Sequence, residues 1–150
     1  RRADIAYESA DGSVVYDDIE DPLPFDIDAP VIEIADRDYA IWYRDVSEEP
    51  KKYAGKTVRV KCRCVKRRGI QSGWMIAGRH VMTCCEADIA FTAFICDFRS
   101  IPDMPDDGWF VLTAKMDYKF NRAYGRRGPV LTAESAEACE APDPSVATFF

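Results

Sequence analysis

The stretch HVMTCCEAD, residues 80–88, gathers the side chains best suited to chemistry. It holds the chain's single histidine, His80, the adjacent cysteines Cys84 and Cys85, and the carboxylates Glu86 and Asp88. Thiolate, imidazole and carboxylate are the ordinary ligands of Zn2+ and similar ions. Neighbouring side chains on a regular strand point to opposite faces, so Cys84 and Cys85 reach one ion only where the strand breaks into a turn. TCCEAD reads as such a break, after Thr83. Asp88 lies four residues beyond Cys84, so one helical turn brings its carboxylate beside that sulfur. The expected metal site is therefore Cys84, Cys85 and Asp88, with Cys62, Cys64 or His80 as further donors and Zn2+ as the candidate ion. Arg79 and His80 are the candidate ligand-binding residues beside it. Arg79 would pair with Asp88, or lower a cysteine pKa and sharpen its reactivity.

Two other readings of the same residues stand open. The sulfurs would pack as small apolar groups while an Arg79–Asp88 pair fixes the turn. Alternatively the cysteines would do redox chemistry, forming a disulfide with another strand, since a bridge between Cys84 and Cys85 strains the intervening peptide. His80 shares a strand face with Trp74, Ile76 and Met82, which fits a core histidine as well as a ligand.

The elements that must carry these residues follow from periodicity. PVIEI (30–34) reads as a strand, and Tyr39, Trp42, Tyr43 and Val46 mark one face of a helix with Asp36 as its N-cap. GKTVRVKCRCV (55–65) alternates, placing Val58, Val60, Cys62 and Cys64 on one face and Arg59, Lys61 and Arg63 on the other. Further strands are expected over 73–83, 88–98, 109–120 and 129–139, with Phe110, Leu112, Ala114, Met116 and Tyr118 inward on the fourth. Residues 99–108 are too short and proline-rich for a helix, and the tail EAPDPSVATFF reads as irregular. Five strands joined by short turns and preceded by a helix predict a mainly β fold, an OB-like five-stranded β-barrel over residues 31–150.

Composition sets the bounds. At 150 residues, with 47% hydrophobic and 12% aromatic side chains, the chain can bury a core, and no run approaches a membrane span. Its net charge of -6 is uneven. Residues 1–30 carry nine acids against two arginines and read as an extended acidic arm, with SVVY (13–16) as a short strand in it. Residues 51–68 carry nine basic side chains and no acid. That stripe fits a solvated or internally paired face, anionic headgroups or a partner protein; without outward aromatics for base stacking, no nucleic acid partner is expected. The six cysteines match neither a disulfide framework nor a zinc ribbon. One histidine leaves no Ser-His-Asp relay to argue, and no phosphate-cradling glycine motif occurs, so the chain reads as no enzyme.

YAGKTVRVKCRCV, RHVMTCCEAD, DGWFVLTAKM and PVLTAESAEACEAPDP together resemble the soluble C-terminal domain of a bacterial family of two-component permease subunits, a domain of unknown function. Tyr53, Gly55, Lys56, Arg79, Cys84, Cys85, Ala87, Asp88, Trp109, Pro142 and Pro144 carry the resemblance, above all the Arg-x4-Cys-Cys-x-Ala-Asp segment. Cys62 departs from it, standing where the family tends to have glycine, and so does His80. The resemblance implies a membrane permease subunit as partner. It also implies anchoring through a segment outside this chain, which opens at Arg1-Arg2 and reads as a trimmed piece, with the domain extracytoplasmic. It implies no enzymatic activity. A nucleic-acid-binding barrel and a thiol redox protein are the alternatives.

Overall fold

The computed structural model describes residues 2–8, 14–20 and 23–149, the first two stretches as backbone alone. Strands β1 (Arg2–Glu8) and β2 (Val14–Glu20) pair antiparallel, Arg2 opposite Glu20 and Glu8 opposite Val14. Where an extended arm is expected, these residues form a two-stranded hairpin. Val14, Val15 and Tyr16 of the expected SVVY strand open β2, while Ser13 and the other residues before Leu23 that belong to neither strand lie outside the described residues. Phe25 and Ile27 already pack against the core, so the lead-in is attached to the body before residue 31.

The body is mainly β, with one helix. Strand β3 (Ile32–Ile34) is followed by a 3-10 turn at Asp36–Asp38 and helix α1 (Tyr39–Glu48). Then come β4 (Thr57–Val65), β5 (Trp74–Met82), β6 (Ala90–Asp97), β7 (Asp107–Asn121), β8 (Arg126–Ala138) and β9 (Ala147–Thr148). The seven-stranded sheet runs β3-β4-β7-β8-β6-β5-β9, and β4 also pairs with β5. Five strands, β4, β7, β8, β6 and β5, therefore pair in a ring. Ring neighbours are antiparallel except β6 and β8, which run parallel from Ile95 opposite Val130.

The alternation read from sequence holds on two strands. Val58, Val60, Cys62 and Cys64 of β4 and Phe110, Leu112, Ala114 and Met116 of β7 are all buried, while Tyr118, toward the end of β7, is only half-buried. On β5 the faces are inverted. The buried side carries Met75, Ala77, Arg79 and Val81, whereas Trp74, Ile76, His80 and Met82 are only half-buried. Both faces of β5 bear large side chains, so alternation alone does not orient it, and an arginine argues for the wrong side. Asp36 is not a helix cap either: α1 has no side-chain cap bond, and the Asp36 carboxylate turns to Arg79 Nη1 at 3.1 Å and Lys61 Nζ at 3.7 Å.

Arg79 is 1% exposed, and its charge is met from three segments. Besides Asp36, its guanidinium donates to the carbonyls of Pro144 (3.4 Å) and Ser145 (3.2 Å), and it lies 5.6 Å from the Tyr39 ring centre and 5.5 Å from that of Trp109. Such a group is tolerable inside only when paired and hydrogen-bonded. Its position on β5 explains the arrangement. Ile76, Ala77 and Gly78 pair with β4, and Val81 and Met82 pair with β9, parallel, through Ala147 and Thr148. Arg79 thus sits where β5 changes partners, and it ties down the chain that arrives to cover the vacated edge. The tail read as irregular supplies that cover.

Helix α1 packs on β6. Trp42 meets Phe94 edge-on at 5.5 Å, Tyr43 stacks on Phe94 at 4.7 Å, and Tyr39 Oη donates to the Thr92 carbonyl at 2.8 Å. Thr92 Oγ1 in turn donates to the Arg79 carbonyl at 2.9 Å. Gly78 is required where β5 and β6 close up: a Cβ there would lie 1.9 Å from the Thr92 oxygen and 2.6 Å from Ala93 Cα. The atoms met are β6 backbone and the Ala93 Cβ fixed to it, with no flexible side chain to yield. Gly78→Ala is expected to lower unfolding stability by about 2 kcal/mol or more, the scale of overpacking a tight site. Urea denaturation monitored by near-ultraviolet circular dichroism measures it; unchanged stability would contradict this packing.

Candidate functional site

Strand β5 ends at Met82, and the chain bends through Thr83, Cys84 and Cys85 into a single 3-10 turn at Glu86–Asp88. The turn closes on one carboxylate. Asp88 Oδ1 accepts the Thr83 N–H at 2.8 Å, and Oδ2 accepts the Cys84 N–H at 2.8 Å and the Cys85 N–H at 3.4 Å. Cys84 Sγ also donates to Asp88 Oδ2, at 2.9 Å. The two sulfurs are 3.7 Å apart, and both cysteines are exposed. Donor atoms of Cys84, Cys85 and Asp88 all lie within 4.8 Å of one another. The predicted break after Thr83 thus gathers these three residues.

Arg79 and His80 stand apart from the cluster. Arg79 faces inward to Asp36, Pro144 and Ser145, so the expected pair with Asp88 does not form. Alternation sends His80 to the opposite face of β5, half-buried, with its ring 5.0 Å from that of Phe91. Cys62 and Cys64 are also withdrawn as additional donors. They share the buried face of β4, sulfurs 4.0 Å apart, in the same core as Cys96. The hydrogen bond between Cys62 and Cys64 and the burial of both push the Cys62 thiol well above its ordinary range, and burial does the same to Cys96. Those thiols stay protonated inside.

Electrostatics at the turn follow from the shared hydrogen bonds. The Cys84 thiol and the backbone N–H groups of Thr83 and Cys84 stabilise the Asp88 carboxylate and lower its pKa to about 2. The same carboxylate, followed by the neighbouring Cys85 sulfur, raises Cys84 to about 11. A depressed carboxyl pKa favours the closed turn above about pH 4, where the free acid is ionised, and that contribution fades as pH falls through about 2. Cys84 is held as a thiol at neutral pH, a poor nucleophile but a ready ligand for a cation that replaces its proton.

A groove of about 340 Å³ borders the turn, with Thr83 and Asp88 on one side and Tyr43, Arg44, Ser47 and Phe149 on the other. Phe149 belongs to the tail that β9 fixes, a wall that sequence periodicity does not reveal because two-residue pairing leaves no pattern. The Asp88→Asn variant, lacking the anion, is expected to bring the Cys84 pKa back toward 9 and so raise its thiolate fraction at neutral pH on the order of 10- to 100-fold. Thiolate absorbance titration and alkylation rate against pH measure it; an unmoved titration would mean that Asp88 does not control this thiol.

Among the described residues no helix is long and apolar enough to cross a membrane. No curated protein and no solved structure matches the chain. The family model described as the DUF1980 C-terminal domain matches residues 16–146, which takes in β3 to β8, the helix and the thiol turn. The expected C-terminal domain of unknown function is therefore the right family: the chain belongs to the DUF1980 C-terminal domain family.

Proposed function

We propose that this domain is a non-enzymatic binding module of a membrane permease subunit, which captures a thiophilic divalent cation such as Zn2+ through Cys84, Cys85 and Asp88. One observation carries the metal reading. Two thiolates bound to a single tetrahedral ion at about 2.3 Å sit roughly 3.8 Å apart, and Cys84 Sγ and Cys85 Sγ are 3.7 Å apart. Asp88 adds an oxygen on the same side, and exposure leaves a fourth position for water or a partner's ligand. Nothing large must move for the three donors to converge.

The scaffold of this reading is an OB-like barrel. Supporting it are the ring order β4-β5-β6-β8-β7 and the one parallel contact between ring neighbours, β6 with β8; the β6–β7 connection departs from it, lacking the helix that OB barrels often place between their third and fourth strands. The membrane partner, the anchoring outside this chain and an extracytoplasmic position rest on the resemblance to permease subunits. The rival readings draw less support. A redox role calls for a low-pKa thiol, and Asp88 pushes Cys84 the other way. The cationic face of β4 is internally paired: Arg59 with Glu33, Lys61 with Asp36, and Arg63 with Asp107. Those charges are spent within the domain rather than aligned for a phosphate backbone.

Titration with Zn2+ by calorimetry tests the site. Binding of one ion is expected, with release of about two protons at neutral pH as the thiols ionise. Affinity should therefore rise with pH up to the Cys84 pKa of about 11. Cys84→Ser with Cys85→Ser should abolish binding, and Asp88→Asn should weaken it about tenfold or more. Retention of stoichiometric, proton-releasing binding by the double serine variant would overturn the assignment.

A further inference from the structure

The loop joining β4 to β5 reads KRRGIQSG (66–73), and residues 121–128 at the β7–β8 turn read NRAYGRRG. Neither contains an acid, and together they hold Arg67, Arg68, Arg122, Arg126 and Arg127, in a chain whose net charge is -6. All five are exposed, and none forms an ion pair among the described residues; the adjoining Lys66 is matched by Asp106 at 3.7 Å. The two loops are neighbours in space. Gly69, Ile70, Gln71 and Trp74 face Asn121 and Arg122 across a cleft of about 40 Å³.

Both loops are held firmly. Gly69 and Gly73 have φ of +89° and +85°, and the Ile70 N–H donates to the Arg67 carbonyl at 3.2 Å. In the second loop Tyr124 turns inward: its hydroxyl donates to the Pro129 carbonyl at 2.6 Å and accepts the Ile95 N–H at 3.0 Å. That anchor leaves Arg122 and Arg126 exposed around it, while Arg127, also exposed, donates from Nη2 to the Tyr118 carbonyl at 3.2 Å. Beside them on the hairpin stands Phe120, 63% exposed, the more exposed of only two large hydrophobic side chains so displayed among the described residues.

We propose that these two loops are a docking surface for a bilayer carrying anionic phosphate headgroups, with the arginines on the phosphates and Phe120 entering the interface. Clustered exposed cations beside an exposed aromatic are what such a surface recognises. Single-stranded nucleic acid fits less well. The cleft is too small for a base, and nearby ring faces already carry cations: Arg67 over Phe91 at 5.8 Å, Arg99 over Trp74 at 5.2 Å, and Arg127 over Tyr118 at 5.0 Å. The surface is independent of the thiol turn and does not require a metal.

Co-sedimentation of the chain with vesicles tests it, using phosphatidylcholine alone and phosphatidylcholine mixed with phosphatidylglycerol. Binding is expected only to the mixed vesicles, and should weaken with added salt. At about fivefold per arginine, R68Q/R122Q/R126Q should lose affinity on the order of 100-fold. Phe120→Ser should lose several-fold at unchanged charge, while Arg37→Gln with Lys115→Gln, on exposed sites elsewhere, should change little. Near-ultraviolet circular dichroism verifies that each variant is folded. Equal binding to pure phosphatidylcholine, or undiminished binding by the triple variant, would overturn the proposal. So would a single-stranded oligonucleotide bound as tightly as the mixed vesicles and lost in the same variant.

Discussion

The buried guanidinium of Arg79 organises the domain. A ring of five strands needs β5 to leave β4 partway along its length, and departure exposes backbone donors and acceptors on that edge. Arg79 stands at the point of departure, between Gly78, still paired with β4, and Val81, paired with β9. Its donors fasten Asp36, after β3, and the Pro144–Ser145 carbonyls, before β9. One side chain therefore links the first strand of the sheet, a ring strand and the tail. An uncharged replacement of similar size would fill the space but leave those carbonyls without donors, and unpaired buried polar groups are costly.

The thiol turn is built on the opposite plan, from local parts. Asp88 holds three backbone N–H groups and a sulfur within a six-residue span, needing nothing from a distant strand. Such a turn keeps its shape while fully open to solvent. The carboxylate that shapes it also governs the sulfur, so geometry and proton affinity are set by the same atoms. The buried cysteines of β4 and β6 show the contrast. Their thiols pack as small apolar groups in the core, and burial raises the Cys96 pKa where at the turn a carboxylate raises that of Cys84.

Much of this was legible in the residues. Strands of clean alternation, such as 55–65, identify their own inner face, because a polar residue every second position leaves one choice. The bend at TCCEAD was legible for a similar reason: adjacent cysteines and a carboxylate four positions on are compatible only with a broken strand. Strand β5 was not legible in orientation, since both its faces are apolar enough to be buried and the decisive residue is an arginine. Asp36 has the type and place of a cap, yet a long-range guanidinium outcompetes the local N–H groups. The two-residue β9 lacks hydrophobic periodicity; pairing with a distant strand defines it, and no local pattern announces that.

The parallel seam between β9 and β5 gives the tail mechanical leverage. Met82, the last residue before the bend, is held opposite Thr148, and Phe149 walls the groove beside Asp88. A pull transmitted through residues 145–149 would peel that seam from the end nearest the sulfurs, unclasping the groove while the five-stranded ring stays closed. The two-residue seam thus lies beside the exposed thiols, and force or a competing strand at that edge would reach them before it reached the core.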